Sequence, residues 1–261
     1  MTESSIRLCF FIGSIIIFGL CEAFWPRRTI KTPRYHRWTK NYTFVILSSV
    51  IIRFVLPISA TTAALIATEQ DFGLFNWLTI PYPIQIILGI ILLDLLIYTQ
   101  HLIFHAIPIL WRIHQVHHID ESIDSSTALR FHPLEFILSA LIKLSFVLLI
   151  GIPWIAVICF EIILNSMAIF NHANLKLPLK LDALLRILFV TPDMHRIHHS
   201  THQAEYHSNF GFNLSIWDKL FKTYTANPKE SHESMPIGQP DFSNLERNTL
   251  WRLMLLPFKR K

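Results

Sequence analysis

Eight histidines occur at helical spacings in this sequence and a ninth lies between them, and imidazole is a side chain that binds transition metals. His101 and His105 are four residues apart, so they share one face of a helix. Two clusters have the spacing HxxHH, which also brings three side chains to one side of a helix. These clusters are His114, His117 and His118, and His195, His198 and His199. His172 stands between them in the sequence Phe-Asn-His-Ala-Asn.

Neutral imidazole is a good ligand for iron, zinc, copper and nickel. Nine imidazoles exceed the roughly four to six ligands that one ion takes, so the set fits two neighbouring ions. The alternative is a set of unrelated surface histidines, which is the better interpretation of a single isolated histidine. Three clusters that each repeat the helical spacing favour the two-metal interpretation.

The composition is that of a membrane protein. Of 261 residues, 52 % are hydrophobic and only 16 % are charged, whereas soluble domains have about 25 % charged residues. Both an ordinary soluble domain and a disordered chain are therefore excluded. The three cysteines, Cys9, Cys21 and Cys159, lie in apolar runs without CxxC spacing, which argues against a disulfide framework or a thiolate metal site. The net charge of +5 fits basic cytoplasmic loops, and we expect no nucleic-acid partner.

Five apolar segments are predicted to cross the membrane as helices, because a bilayer core of about 30 Å requires roughly 20 apolar residues. They are about Leu8–Phe24, Tyr42–Ala67, a segment that is apolar from Ile84 to Ile97, Leu134–Ile150 and Ile152–Phe170. The second segment is interrupted by Arg53 and Pro57. Six basic residues follow the first segment, so we expect a retained membrane helix rather than a cleaved signal peptide. The predicted fold is an all-α bundle of four to five spans with a helical cap that carries the histidines.

Loop charges predict the orientation of this bundle. The 25–41 loop carries six basic residues and no acid, whereas the 67–83 loop carries Glu69 and Asp71 and no base. Because basic loops stay in the cytoplasm, residues 98–133 and everything after 170 should be cytoplasmic. All nine histidines then lie at the cytoplasmic face of either a bacterial inner membrane or an ER membrane.

Short motifs surround the histidine clusters. They are Asp94-x3-Tyr98, Leu110-Trp111-Arg112, Arg130-Phe131-His132-Pro133, Thr191-Pro192, Asn209-Phe210-Gly211 and Trp217-Asp218-Lys219-Leu220-Phe221-Lys222-Thr223. Together with the histidines, this order over residues 84–225 resembles the fatty acid hydroxylase superfamily, also called the sterol desaturase family. The sequence departs from the family at Leu102, Phe210 and Lys222, where members often have Arg, Tyr and Gly. None of these departures removes a candidate ligand.

The resemblance implies a non-haem di-iron oxygenase in which the nine histidines hold two iron ions. Such an enzyme uses O2 to hydroxylate or desaturate an unactivated C–H bond of a lipid that comes from the bilayer. The sequence has no cytochrome b5-like segment, G-x-G-x-x-G or flavin fingerprint, so we expect electrons from a separate donor protein. The alternative is a membrane metal-binding or metal-transport protein without oxygenase activity. Transport is disfavoured because the histidines lie at one membrane face only.

Asp94 lies one heptad before His101, on the same helix face and inside an apolar span. Acids inside a membrane usually face the bundle interior. Asp94 either supports an imidazole N–H or packs against Lys143 or Arg53.

Five other polar residues are candidates for roles around the metal ligands. Glu161 and Asn165 share a helix face with His172, so they either line the site and the substrate path or join helices by hydrogen bonds. His132 is expected to support a metal ligand or to cap a helix rather than to bind metal. Arg196 either pairs with an acid or contacts lipid head groups, and Asn209 belongs to the Asn-Phe-Gly motif. We expect no catalytic residue beyond the metal ligands.

The chain is divided into three predicted regions. Residues 1–83 form N-terminal membrane helices with the basic loop, residues 84–225 form the catalytic domain, and residues 226–261 form a polar tail. The tail closes with an amphipathic piece, Leu250–Phe258, and a basic end, which we expect on the membrane surface.

Overall fold

Helices are the dominant regular structure of the described residues. The computed structural model of the chain describes residues 2–30, 33–239 and 249–259, and within them extended pairing is limited to isolated bridges. In chain order the helices are α1 (Glu3–Phe24), α2 (Arg34–Val55), α3 (Ala60–Glu69), α4 (Leu74–Trp77), α5 (Tyr82–Ala106), α6 (Pro108–His118), α7 (Pro133–Ile150), α8 (Trp154–His172), α9 (Leu179–Leu185), α10 (Pro192–His198), α11 (Gln203–Tyr206), α12 (Ile216–Leu220) and α13 (Leu250–Leu255). Short 3₁₀ turns cover Ser125–Leu129 and Leu256–Phe258.

Five segments are long and apolar enough to cross a membrane. They are α1, the stretch Arg34–Trp77, α5, α7 and α8. The predicted all-α, multi-pass membrane bundle is therefore confirmed. Its apolar core lies where α3, α5, α7 and α8 meet, around Leu93, Val147 and Phe160.

The interruption predicted in the second span is a break between two helices. α2 ends at Val55 and α3 begins at Ala60. Pro57 has no backbone N–H to continue a helix. Ser59 then starts α3, because its Oγ accepts a 3.0 Å hydrogen bond from the Thr62 amide.

The α7–α8 hairpin turns at Gly151, the residue between the fourth and fifth predicted spans. Gly151 ends α7 with a φ of 70° and packs against Gly73, whose φ is 102°. A Cβ on Gly73 would lie 2.5 Å from the Gly151 nitrogen, so both positions require glycine. This contact joins the loop before α4 to the hairpin at one end of the bundle.

The opposite end of the bundle brings the ends of α1 and α8 together. The Arg27 amide donates to the Asn174 carbonyl at 3.0 Å. The Glu22 carboxylate is buried and accepts 3.0 Å hydrogen bonds from the Ser125 and Asn174 amides. α1 is thus an integral part of the bundle, and its end is hydrogen-bonded to Asn174, two residues after His172.

The C-terminal piece packs on the cap. Leu253 and Leu256 are buried against Phe44, Val116 and Ile119, so α13 supports α6. Trp251 and Phe258 remain exposed. The membrane-surface position of this piece stays a prediction, and Arg260 and Lys261 of the basic end lie outside the described residues.

Candidate metal centre

Four helices carry the nine histidines to one end of the bundle. α5 carries His101 and His105, α6 carries the first HxxHH cluster, and α8 ends at His172. α10 carries the second cluster, and His199 is its C-terminal cap. The Thr191-Pro192 pair starts α10, since Thr191 Oγ1 accepts from the Met194 amide and proline suits the first helical turn.

The imidazoles form two groups. Within each group one ligand atom of every member lies within 4.8 Å of the others. The five-histidine group is His101, His105, His114, His118 and His198, and the four-histidine group is His117, His172, His195 and His199. All nine side chains are buried. The groups adjoin, because the rings of His118 and His199 stack with centroids 4.4 Å apart.

Four imidazoles are oriented by hydrogen bonds that point away from the centre. Each donates its Nδ1–H to an oxygen, which leaves the Nε2 lone pair facing inward. The pairs are His101 with the Phe210 carbonyl at 2.8 Å, His114 with Glu135 Oε1 at 2.8 Å, His172 with the Ala168 carbonyl at 2.7 Å and His198 with the Ser208 carbonyl at 2.7 Å.

The inward nitrogens fit a metal ion. His172 Nε2 lies 3.0 Å from His117 Nε2 and 3.1 Å from His195 Nε2, so lone pairs converge on one point. Nε2 of His101, His114 and His198 is buried without a hydrogen-bond partner among the described residues. Such buried, unpaired nitrogens are costly in a protein interior. Transition-metal ions satisfy nitrogen ligands arranged in this way.

The protonation state also suits metal binding. Burial, helped by the neighbouring imidazoles, holds the pKa of His117, His118, His195 and His199 well below the ordinary value. Burial lowers the pKa of His198 to about 3. These imidazoles are therefore neutral at pH 7, which is the form that binds metal.

Glu135 is a supporting residue that the sequence analysis missed. It lies in the first turn of α7, is buried, and accepts the His114 Nδ1–H. Glu135 Oε2 has no partner among the described residues. The available signal was a lone acid three residues after His132, at the start of an apolar span.

Asp94 does not contact His101, Lys143 or Arg53, so both interpretations of this residue were wrong about its partner. Its Oδ2 accepts from Trp217 Nε1 at 2.8 Å and from the Leu214 amide at 3.2 Å. Spacing along α5 revealed a shared face but could not reveal a partner more than a hundred residues away. Asp94 instead fixes the segment after α11, which includes the carbonyl that His101 binds.

The Asn-Phe-Gly turn is held from two sides. Asn209 adopts a φ of 54°, and its amide donates to the Met194 and Thr225 carbonyls at 3.0 and 2.9 Å. Asp218 accepts 2.8 Å hydrogen bonds from the Phe210 and Gly211 amides. Burial raises the pKa of Asp218 to about 6. The turn thereby presents the Phe210 carbonyl to His101.

Arg196 and His132 position helices. Arg196 is buried and pairs with Asp193 inside α10, in agreement with the acid-pair interpretation and against lipid head-group contact. His132 caps α7, since its Nδ1 accepts from the Leu134 amide at 3.2 Å and its Nε2 donates to the Met254 carbonyl at 3.1 Å. His132 lies outside both histidine groups.

A second missed feature is a buried ion network beside the first HxxHH cluster. Arg37 donates to Asp120 at 2.7 Å and to Asp124 at 2.6 Å, and all three side chains are buried. Arg37 counted as a loop charge in the sequence analysis. The network instead joins α2 to the segment that directly follows His118.

Glu161 and Asn165 line a cavity of about 410 Å³ beneath the five-histidine group, together with His101 and His114. Glu161 also pairs with Lys143 and Arg7. The structure thus brings these two residues to the site, on the membrane side of the histidines.

Comparison with known proteins bears on the identity of this centre. The sequence model of the family described as fatty acid hydroxylase matches residues 86–223, which is more than half of the chain. The chain belongs to the fatty acid hydroxylase family. The matched region includes all nine histidines, Asp94 and Glu135. None of the solved structures matches the chain significantly.

Several curated proteins are related to this fatty acid hydroxylase family member. An ornithine lipid hydroxylase of Rhizobium tropici is 25 % identical over 74 % of this chain and 56 % of its own length. An alkylglycerol monooxygenase of Caenorhabditis elegans is 28 % identical over 62 % of this chain and 32 % of its own. The human alkylglycerol monooxygenase is 31 % identical over 49 % of this chain and 28 % of its own length. The chain therefore spans about half or less of the length of these relatives.

Proposed function

We propose that the two histidine groups each bind an iron ion and that the protein is a membrane-bound, O2-dependent oxygenase. Its reaction would be hydroxylation or desaturation of an unactivated C–H bond of a lipid. The observation that carries this proposal is the pair of adjacent groups of buried imidazoles above a cavity among membrane helices. Family membership supports the choice of iron and of oxygen chemistry.

The bound irons would supply the activation of O2 that no side chain can perform. The protein's own residues orient the imidazole rings and shield the centre from water. Glu135 and the Phe210 carbonyl hold the rings of His114 and His101, the two histidines that face the cavity. Burial of the whole set keeps bulk water away from the centre. The apolar cavity holds the substrate against these histidines.

The cytoplasmic orientation and the electron donor belong to this proposal. The histidine end of the bundle adjoins the basic 25–41 segment, and basic loops stay in the cytoplasm. A separate donor protein would then deliver electrons from the cytoplasm. The membrane is a bacterial inner membrane or an ER membrane.

The names of the relatives support a lipid substrate. One relative is named for hydroxylating an ornithine lipid, and others are named for oxidising alkylglycerols. For this chain we propose only the substrate class that these names share, which is a membrane lipid.

The decisive experiment combines metal analysis with lipid oxidation on one preparation. Purified protein in lipid nanodiscs should contain about two irons per chain and consume O2 when given a reductant and membrane lipid. Comparative lipidomics of cells with and without the gene identifies the product. Metal binding without O2 consumption, or a protein filled with zinc that exchanges across the membrane, would contradict the proposal.

A further inference from the structure

An exposed apolar surface lies beside the bundle, outside the five candidate spans. It is formed by α9 with the loop that follows it and by α12 with the residue after it. We call it the α9–α12 patch and define it by six exposed side chains: Leu179, Leu184, Ile187, Phe189, Leu220 and Phe221. Single exposed apolar side chains are ordinary, but a group of this size marks an interaction surface.

Hydrogen bonds hold the two stretches of the patch side by side. The Ser215 amide donates to the Leu188 carbonyl at 2.9 Å, and the Val190 amide donates to the Asn213 carbonyl at 3.0 Å. The patch is therefore one surface. These backbone groups are paired within the chain, as a hydrocarbon environment requires.

α12 packs against α5 below the level of the histidines. Trp217 Nε1 donates to Asp94 Oδ2 at 2.8 Å, and the Phe221 ring stacks on Tyr98 with centroids 5.5 Å apart. Asp94 and Tyr98 lie seven and three residues before His101, which is about 10 and 5 Å along the helix. α12 is therefore displaced by about this distance from the histidines toward the opposite end of the bundle.

The lengths of α7 and α8 place that level inside the hydrocarbon of a membrane. The two helices have 18 and 19 residues, so they are about 27–29 Å long. α8 ends at His172, and α7 begins two residues before Glu135, which binds His114. A bilayer core of about 30 Å takes up the full length of both helices, so its boundary lies near the histidines. α12 then lies within the leaflet on the histidine side.

Charged groups within the patch are paired inside the chain. Asp182 forms a 2.7 Å ion pair with Arg186, and both are buried. Asp218 is buried, and Lys219 donates to the Ile187 carbonyl at 2.9 Å. Charged side chains at membrane depth need such partners.

The other exposed charges of the patch are positive. Lys180 on α9 and Lys222 after α12 are exposed, whereas the acids of residues 179–189 and 216–222 are both buried. Two copies of the chain that met at this surface would oppose like charges. Anionic head groups would instead attract the lysines, whose long side chains reach from apolar surface to the membrane interface.

We infer that the α9–α12 patch is inserted into the leaflet on the histidine side. Its apolar side chains contact acyl chains, and Lys180 and Lys222 contact anionic head groups. The partner is thus a bilayer that contains anionic lipid, which the chain meets by a shallow insertion in addition to its spans. This contact needs neither a metal ion nor turnover, so it is tested independently of the proposed oxygenase.

Collision accessibility of nitroxide labels tests the insertion. Leu184→Cys and Leu220→Cys are labelled one at a time, in metal-free protein whose three native cysteines are changed to serine, in nanodiscs that contain anionic lipid. Ile91→Cys gives the membrane reference, because Ile91 is exposed on the spanning helix α5. Gln203→Cys gives the water reference, because Gln203 is exposed on α11. The thermal unfolding midpoint of each variant shows that it is folded.

The reagents are O2, which concentrates in hydrocarbon, and a water-soluble nickel chelate, which hydrocarbon excludes. We expect the ratio of O2 to nickel collisions at both patch positions to match that at Ile91 and to exceed that at Gln203 several-fold. A ratio like that at Gln203 overturns the insertion. Loss of collisions with both reagents would mean that protein covers the patch, and this also overturns the inference.

Head-group contact is tested with lysine variants. The thermal midpoint of the metal-free protein is compared between nanodiscs of phosphatidylcholine alone and nanodiscs that also contain phosphatidylglycerol. Lys180→Gln and Lys222→Gln should each lose about 2–4 °C of the rise that anionic lipid produces. Lys229→Gln is the matched control, because Lys229 is exposed and its amide binds Glu205 of α11. An undiminished rise in both patch variants, or an equal loss in the control, overturns the head-group contact.

Discussion

Glu135 Oε1 accepts a 2.8 Å hydrogen bond from His114 Nδ1, and this bond joins the start of α7 to the five-histidine group. The carboxylate fixes the tautomer and direction of the ring and raises its basicity as a ligand. Loss of such a partner typically costs about 10- to 100-fold in metal affinity or activity.

We therefore expect Glu135→Gln to bind iron about tenfold more weakly while inserting normally. Metal occupancy across an iron titration measures the change. Glu69→Gln is the matched control, since Glu69 is exposed at the end of α3. Equal iron affinity in the two variants would mean that His114 keeps its position without Glu135.

The division into five and four histidines predicts two kinds of metal loss. His199→Ala leaves three imidazoles in its group, whereas His118→Ala leaves four. We expect iron to fall from about two to about one per chain in His199→Ala and less in His118→Ala. His36→Ala, which changes an exposed histidine, should keep both ions.

Turnover should be lost in every single alanine variant of the two HxxHH clusters. Each change opens the coordination sphere of an ion and alters its redox potential. Protein level should fall less than activity, because the apolar spans dominate folding. Full turnover with unchanged iron in His198→Ala would remove that residue from the site.

Asp94 should affect the metal centre indirectly, because it holds the segment after α11 whose Phe210 carbonyl orients His101. Asp94→Asn weakens the two hydrogen bonds that Asp94 Oδ2 accepts from the Leu214 amide and Trp217 Nε1, and a typical hydrogen bond contributes about 1 kcal/mol. We expect normal insertion, a lower thermal midpoint and weaker iron binding. Trp217→Phe removes one of the same bonds from the other side and should produce a smaller change in the same direction. Poor accumulation of Asp94→Asn without any effect in Trp217→Phe would contradict this role.

Acid should destabilise the metal-free protein. The pKa of His198 is about 3 in the folded protein and about 6.5 in an unfolded chain. Between these values the unfolded chain binds a proton that the folded protein does not, so the free energy of unfolding falls as pH falls. We expect a lower melting temperature at pH 5 than at pH 7.5, with a smaller difference in His198→Gln. His36→Gln should retain the full difference.

Reporter fusions test the orientation of the bundle. A fusion at Asn227 should report a cytoplasmic position, and one at Gln70, in the acidic loop, the opposite side. The reason is the contrast between six basic residues in the 25–41 loop and none in the 67–83 loop. An extracytoplasmic signal from Asn227 would place the histidines on the other face.

Periodic patterns in the sequence predicted the features that lie within a single helix. Apolar length predicted the spans, and helical spacing singled out eight of the nine histidines that the fold brings together, the ninth being His172 at the end of a span. Pro57 breaks a helix because it has no backbone N–H, and Gly151 allows a tight turn because glycine readily adopts its φ of 70°.

Contacts between distant segments could not be read from spacing. Asp94 binds Trp217, Glu22 binds Asn174, and Arg37 binds Asp120, each across a large separation in sequence. An acid or arginine in a helix reveals its own face, but its partner depends on packing of the whole bundle. The sorting of His117 and His118 into different groups is of the same kind, since their spacing alone places them together.

The order in which the ribosome releases the ligands creates a hazard during biogenesis. His101, His105, His114, His117 and His118 emerge before α8 and α10 exist, and the 98 residues from His101 to His199 require roughly 5–20 s of synthesis. During this interval five imidazoles are available to copper or zinc, which such ligands bind more tightly than ferrous iron. A metal captured between His114 and His117 must later release one of them, because these residues finish in different groups. For the proposed iron centre, correct metallation would depend on keeping the nascent chain away from the more competitive metals until α10 is in place.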